Sequence, residues 1–240
     1  MMRGKLIITA TAMLYLALTA CNSKGVPEKE TASISTAPKI SGKEFVAHLE
    51  KLGYFKYASP KDLDSLKVNM ANLYDPSNEL VTIWDDETGT PRDYRLYACD
   101  SEALFEAGGF KEMLAALKPT FDKIGLKTEV SSHVEEWDTK NNWLNHSISI
   151  NGTRYTIFKN FTGSGWGEAV QTFADILNNE LQLQNKEDRI YLINGGNDGR
   201  IIFLSPAQFN YIDGIYNNKQ WKPLEVKDWC LAMNVKPQKI

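Results

Sequence analysis

The chain has 240 residues, 42% of them hydrophobic and 11% aromatic, and carries a formal charge of −3 at pH 7. Such mild acidity offers no electrostatic footprint for nucleic acid or for anionic lipid headgroups, so partners read through their phosphates are excluded. Three cysteines are too few for a disulfide framework.

In chain order, the first feature is a leader. Arg3 and Lys5 form a short positive segment, and Leu6 to Leu18 an apolar run. This run suits a secretory signal and falls short of the roughly 20 residues that a spanning helix needs. Behind it stands Leu18-Thr19-Ala20-Cys21, which resembles the lipobox of bacterial lipoproteins; the resemblance covers residues 1 to 21 alone. It implies cleavage before Cys21, a diacylglycerol on the Cys21 thiol and, as a rule, an acyl chain on the new amino end. Asn22, standing where an Asp would retain the protein, implies an outer-membrane address. Several acyl chains make a stable anchor, since each buried CH2 contributes about 0.8 kcal/mol and one chain alone binds only marginally. Loss of Arg3 and Lys5 with residues 1–20 moves the formal charge from −3 to −5.

Residues 22–40, NSKGVPEKETASISTAPKI, are rich in Ser, Thr, Pro, Lys and Glu. They bury too little to offset chain ordering and read as a flexible tether, so residues 21–40 form a lipidated linker. Its reach is roughly 25 Å on average. Residues 41–240 are expected to form one α+β domain.

That domain opens with SGKEFVAHLEKLG, in which Ser41 and Glu44 make a capping box and Phe45, Val46, Leu49 and Leu52 an apolar stripe ending at Gly53. A second helix is predicted from Ser59 as cap and Pro60 as first helical residue, with Leu63, Leu66, Met70 and Leu73 at helical spacing. His48 falls on the polar flank of the first stripe and reads as solvated surface. Two strand-like runs, Glu79 to Trp84 and Tyr94 to Asp100, flank the turn-rich DDETGTPRD. Helix follows from Ser101, interrupted at Gly108-Gly109, bent at Pro119 and ending near Gly125.

Leu126 to Trp137 alternates as a strand. HSISINGTRYTIF then reads as a hairpin on a two-residue type I′ turn at Asn151-Gly152. The implied register opposes Ile150 to Thr153, Ile148 to Tyr155 and His146 to Ile157, all on one face. After FTGSGWGEA, Glu168 to Leu181 presents Val170, Phe173, Ala174, Leu177 and Leu181 on one helical face. RIYLI and RIIFL, joined by NGGNDG, form another hairpin whose near-continuous apolar runs predict cover on both sides. Hairpin-then-helix thus recurs near Glu79, His146 and Arg189, which implies a largely antiparallel sheet.

Candidates for chemistry are few. In FTGSGWGEA, Gly163, Gly165 and Gly167 give G-x-G-x-G, and Glu168 stands where a dinucleotide fingerprint has its last glycine. A carboxylate in the first turn of a helix repels phosphate, and no Gly-Lys-Ser/Thr follows. Nor is Ser164 in a nucleophile elbow, because Thr162 replaces its first glycine. The loop therefore reads as a helix start, with Ser164, Gly165 and Trp166 as a candidate ligand or partner contact if Trp166 is exposed.

His133 and Glu135 share one strand face, and His146 on a neighbouring strand suggests a two-histidine, one-carboxylate metal set. Periodicity places Val130 and Val134 on the apolar face, however, which would turn His133 and Glu135 away from His146 unless a bulge intervenes. No metal site is therefore expected. Asp85, Asp86, Glu87 and the nearby Asp93 lack the spacing of a calcium loop and read as a solvated tip. Cys99-Asp100-Ser101 offers no assignable histidine and hence no nucleophile. Cys99 and Cys230 could form one disulfide in an oxidising compartment.

Taken together, these readings describe a lipid-anchored envelope protein with no expected cofactor. It acts as a binding or interaction module whose partners are the membrane, through its anchor, and a protein of the envelope. An envelope hydrolase and an immunity-type or inhibitor lipoprotein stay open as alternatives.

Overall fold

A computed structural model describes residues 40 to 240; the leader, Cys21 and the tether as far as residue 39 lie outside the described residues. The fold is α+β, with two three-stranded antiparallel sheets. Its elements in chain order are α1 (Gly42–Lys51), α2 (Leu63–Leu73), β1 (Leu96–Ala98), α3 (Ser101–Phe105), α4 (Gly109–Ala116), α5 (Lys118–Ile124), β2 (Val130–Asp138), β3 (Trp143–Ile150), β4 (Thr153–Phe161), α6 (Trp166–Leu183), β5 (Arg189–Ile193), β6 (Arg200–Leu204), α7 (Pro206–Asp213) and α8 (Val226–Ala232).

The first sheet has the order β1-β6-β5. Its strands are apolar on both faces because both faces are covered, as RIYLI and RIIFL imply. Tyr97, Ile190, Leu192, Ile201 and Phe203 point into one core with α4, α5, α6, α8 and the second sheet. Leu96, Tyr191, Ile193, Ile202 and Leu204 point into another, closed by α1, α2 and α7. Asn178 of α6 protects the outer edge of β5: its amide accepts from Ile190 N and donates to Ile190 O.

The expected hairpin near Glu79 does not form. Trp84 and Pro91 make an isolated bridge, and the strand that follows, β1, pairs instead with β6, over a hundred residues away. One helix start also shifts: Ser59 and Pro60 lie in a turn, and α2 begins one turn later behind Asp62. Helix α3 begins at Ser101 as expected, capped by Asp100, which accepts hydrogen bonds from Glu102 N and Ala103 N. The capping box at Ser41 is present as expected.

The second sheet has the order β2-β3-β4. Its β3–β4 turn has Asn151 at φ 50° and Gly152 at φ 82°, the doubly left-handed signature of a type I′ turn. Pairing runs Ile150–Thr153 and Ile148–Tyr155 as expected, but His146 opposes Phe158 and not Ile157. A bulge causes the slip: Ile157 and Phe158 are consecutive and both buried. Helix α6 is fastened to this hairpin through buried Glu180, which accepts from the Tyr155 hydroxyl at 2.5 Å and from the Asn151 amide at 2.6 Å.

One polar group lies within the fold on the first sheet's far side. Arg95, just ahead of β1, is fully buried. Its guanidinium donates to Asp188 Oδ1 at 3.0 Å and to the carbonyls of Phe203 and Tyr54, and it lies over the rings of Tyr54 and Tyr57. Asp188 Oδ2 also accepts from the Tyr57 hydroxyl and from Lys56 Nζ, and Asp93 accepts from the Tyr54 hydroxyl and from Arg95 N. Burial alone would raise the Asp188 carboxyl, but Arg95, Tyr57 and Lys56 more than offset it and hold its pKa below the ordinary value. Asp93 goes the other way, raised by burial against the pull of Tyr54 and backbone N–H groups.

Because the Asp188 pKa is lowered on folding, its contribution is present above about pH 4 and is lost as the pH falls through the folded value. Removing one partner of a buried pair strands the other, at a cost of roughly 3–5 kcal/mol. Asp188→Asn is therefore expected to lose that much stability at pH 7 in urea unfolding. The difference between variant and wild type should shrink on acidification below about pH 4; Asp93, common to both, cancels in the comparison.

Candidate functional site

Two groups of residues singled out in the sequence meet functional geometry. The first is the glycine-rich loop. Gly165 caps α6 in the left-handed conformation, φ 51°, with no side-chain cap bond, and Ala169 N closes onto its carbonyl. A Cβ at Gly165 would lie 2.5 Å from the Phe105 ring and 2.7 Å from the Phe161 ring, so glycine is needed both for φ and for close approach. Ser164 is exposed and Trp166, the first residue of α6, is 40% exposed. Phe105 in turn holds Trp137 edge-on at 5.7 Å, and that indole is 51% exposed. Phe158 and Phe161 complete the aromatic group beneath the loop. Sequence periodicity missed Trp137 and Phe105 because strand β2 and helix α3 meet only in the tertiary structure.

The second group corrects the expectation that His133 and Glu135 face away from His146. Val130 opposes Ile150, but Ser132 opposes Ser149, so Ser131 is an extra residue in β2. This bulge reverses the alternation beyond it. Val134 then faces solvent while His133 and Glu135 turn inward, opposite Ile148 and His146.

The three side chains converge. His133 Nε2 lies 2.9 Å from His146 Nε2, and Glu135 Oε1 lies 3.5 Å from the first and 3.4 Å from the second. The other carboxylate oxygen, Oε2, accepts from Gly108 N at 2.8 Å, the residue that caps α4. Gly109, next to it, has no room for a Cβ, which would lie 2.2 Å from the Ala103 carbonyl, so glycine there lets the start of α4 pack against α3. His146 is 3% exposed, with the Phe110 ring edge-on at 4.8 Å and Phe158 beside it. Burial, and then the neighbouring His133, pull its pKa down to about 4. His146 is thus a neutral imidazole near pH 7, and its contact with Glu135 is not an ion pair.

The remaining candidates carry no chemistry. Cys99 and Cys230, which could pair in an oxidising compartment, are both buried and free in this structure. Cys99 follows β1 at one edge of the first sheet, whereas Cys230 lies on α8, which packs at the β5 edge. Burial raises the Cys99 thiol to about 12 and the Cys230 thiol to about 11, so neither is a thiolate nucleophile. Asp85 folds the exposed tip by accepting from Glu87 N, Thr88 N and Thr88 Oγ1. Asp93 leaves that cluster for the Arg95 site.

Comparison with known protein families, with curated proteins and with solved structures finds no match to this chain.

Gly165→Ala should destabilise the fold by more than about 1 kcal/mol, through left-handed strain and overlap with two rings. Ser164→Ala, at an exposed position with no cap bond, should stay within about 0.5 kcal/mol of wild type. Paired thermal unfolding curves check both.

Proposed function

We propose that this protein is a lipid-anchored interaction module of a bacterial envelope, held to the membrane through Cys21 and engaging a protein partner through the surface around Ser164, Gly165 and Trp166. The observation that carries the reading is the exposure of Trp166, which follows the Gly165 seated against Phe105 and Phe161, and of Trp137, edge-on to the same Phe105 ring. Large indoles lose little conformational entropy on contact, and tryptophan is enriched among the residues that dominate interface energies. Gly165, seated between Phe105 and Phe161, packs the loop directly onto the aromatic group.

The lipobox supports the anchor. Among the described residues no helix is long and apolar enough to cross a membrane. A tether of residues 21–40 lets the domain present this surface away from the headgroups. The same surface and the mild acidity suit an inhibitor of an incoming toxin or hydrolase, a partner class that crosslinking would reveal.

Two measurements test the proposal. Cys21→Ser should move the protein from the membrane to the soluble fraction or leave it unprocessed; unchanged acylation overturns the anchor. Crosslinking in intact envelopes should give a recurrent protein adduct that Trp166→Ala and Trp137→Ala each weaken at least tenfold, about 1.4 kcal/mol, while the circular dichroism stays unchanged. An adduct insensitive to both substitutions rules out this surface.

A further inference from the structure

We propose that His133, Glu135 and His146 form a binding site for a single divalent transition-metal ion, with zinc the ion that the donor set favours. The site adjoins the aromatic surface, sharing Phe158 with it, and rests on its own geometry.

Polar side chains are turned inward here at the expense of an apolar one. The Ser131 bulge exposes Val134 and brings a histidine and a glutamate against a nearly buried histidine framed by Phe110 and Phe158. Apolar burial favours the opposite arrangement, and bulges that re-aim side chains are concentrated near functional sites.

Hydrogen bonding among the three groups leaves the carboxylate poorly served. At 2.9 Å the two Nε2 atoms can share one proton, with one ring donating and the other accepting. Glu135 Oε1 then lies 3.4 and 3.5 Å from the two nitrogens, beyond normal hydrogen-bond length to either. It is nearly equidistant from both, as an oxygen sharing an ion with them would be. All three donor atoms lie within 4.8 Å of one another. Their separations fit a circle of radius about 1.9 Å, so a point just off their plane lies about 2.1 Å from each, the length of a metal–imidazole bond.

The donor chemistry narrows the ion. Two imidazoles and one carboxylate suit zinc and its first-row neighbours, whereas calcium and magnesium require oxygen ligands. The Gly108 N–H bond to Glu135 Oε2 is the kind of outer contact that orients a ligating carboxylate. His133 and Glu135 keep 12% and 15% of their side-chain surface exposed, so solvent can reach the site to complete the coordination.

The test uses the full chain in detergent, purified without a polyhistidine tag, stripped with chelator and titrated with zinc by calorimetry. The expected result is one zinc per chain with a Kd of about 1 µM or tighter. Cobalt should bind at the same site and give visible ligand-field absorption. His133→Ala and Glu135→Gln, at partly exposed positions that tolerate change, should each weaken zinc binding at least tenfold while the circular dichroism stays unchanged. His146→Ala should do the same but is nearly buried, so the other two variants decide if it fails to fold. Absence of zinc binding by folded wild type overturns the proposal, as does binding that both His133→Ala and Glu135→Gln leave intact.

Discussion

A buried guanidinium organises the first half of this fold. Removing Arg95 from water costs several kcal/mol unless its charge and its donors are met, and the groups that meet them come from distant parts of the chain. Asp188 precedes β5, Phe203 supplies a β6 carbonyl, Tyr54 and Tyr57 come from the short 3-10 turn after α1, and Asp93 precedes β1. Tyr94, at φ 55°, turns the chain between Asp93 and Arg95 so that the carboxylate accepts the Arg95 N–H. The α1 layer is thereby keyed to the sheet at one point by directional bonds, where apolar packing alone would leave its position less defined. The short strand β1, only three residues long, takes its place beside β6 because the residue before it is fixed in this way.

Local devices were legible in the sequence, and long-range ones were not. The capping box at Ser41, the Asn151-Gly152 turn and the two-sided cover of RIYLI and RIIFL follow from rules acting over a few residues, and each is present. The pairing of β1 with β6 joins residues near 97 and 201, and nothing in the local pattern of either announces the other. Asp93 read as part of an acidic tip because its neighbours in sequence are acidic; its partner in space, Tyr54, lies 39 positions away.

The histidine site shows how one extra residue can invert a correct rule. Period-two alternation holds along β2 beyond Ser131, and the bulge sets which face each residue takes. Irregularity lies on the other flank of His146 as well. Between Leu144 and Ser147 the β3–β4 register shifts twice, and the first departure from the expected pairing puts both Ile157 and Phe158 inside. Asn160, at φ 47°, accompanies these shifts, and its N–H finds the Asn145 side chain in place of a ladder partner.

These departures centre on one residue. The β2 bulge delivers His133 and Glu135 to His146, and the β4 bulge adds Phe158 to the apolar wall beside it, with Phe110 closing from α4. Register slips in a sheet with one buried face are costly because each moves a hydrophobic set toward water, and here the cost is visible in exposed Val134. A sheet meant only to cover α6 would be served by regular pairing throughout. Two flanking irregularities meet at the same imidazole, one bringing polar donors and the other apolar cover, and so gather three convergent donor atoms in a mostly buried setting, where charge interactions are stronger than at a fully solvated surface.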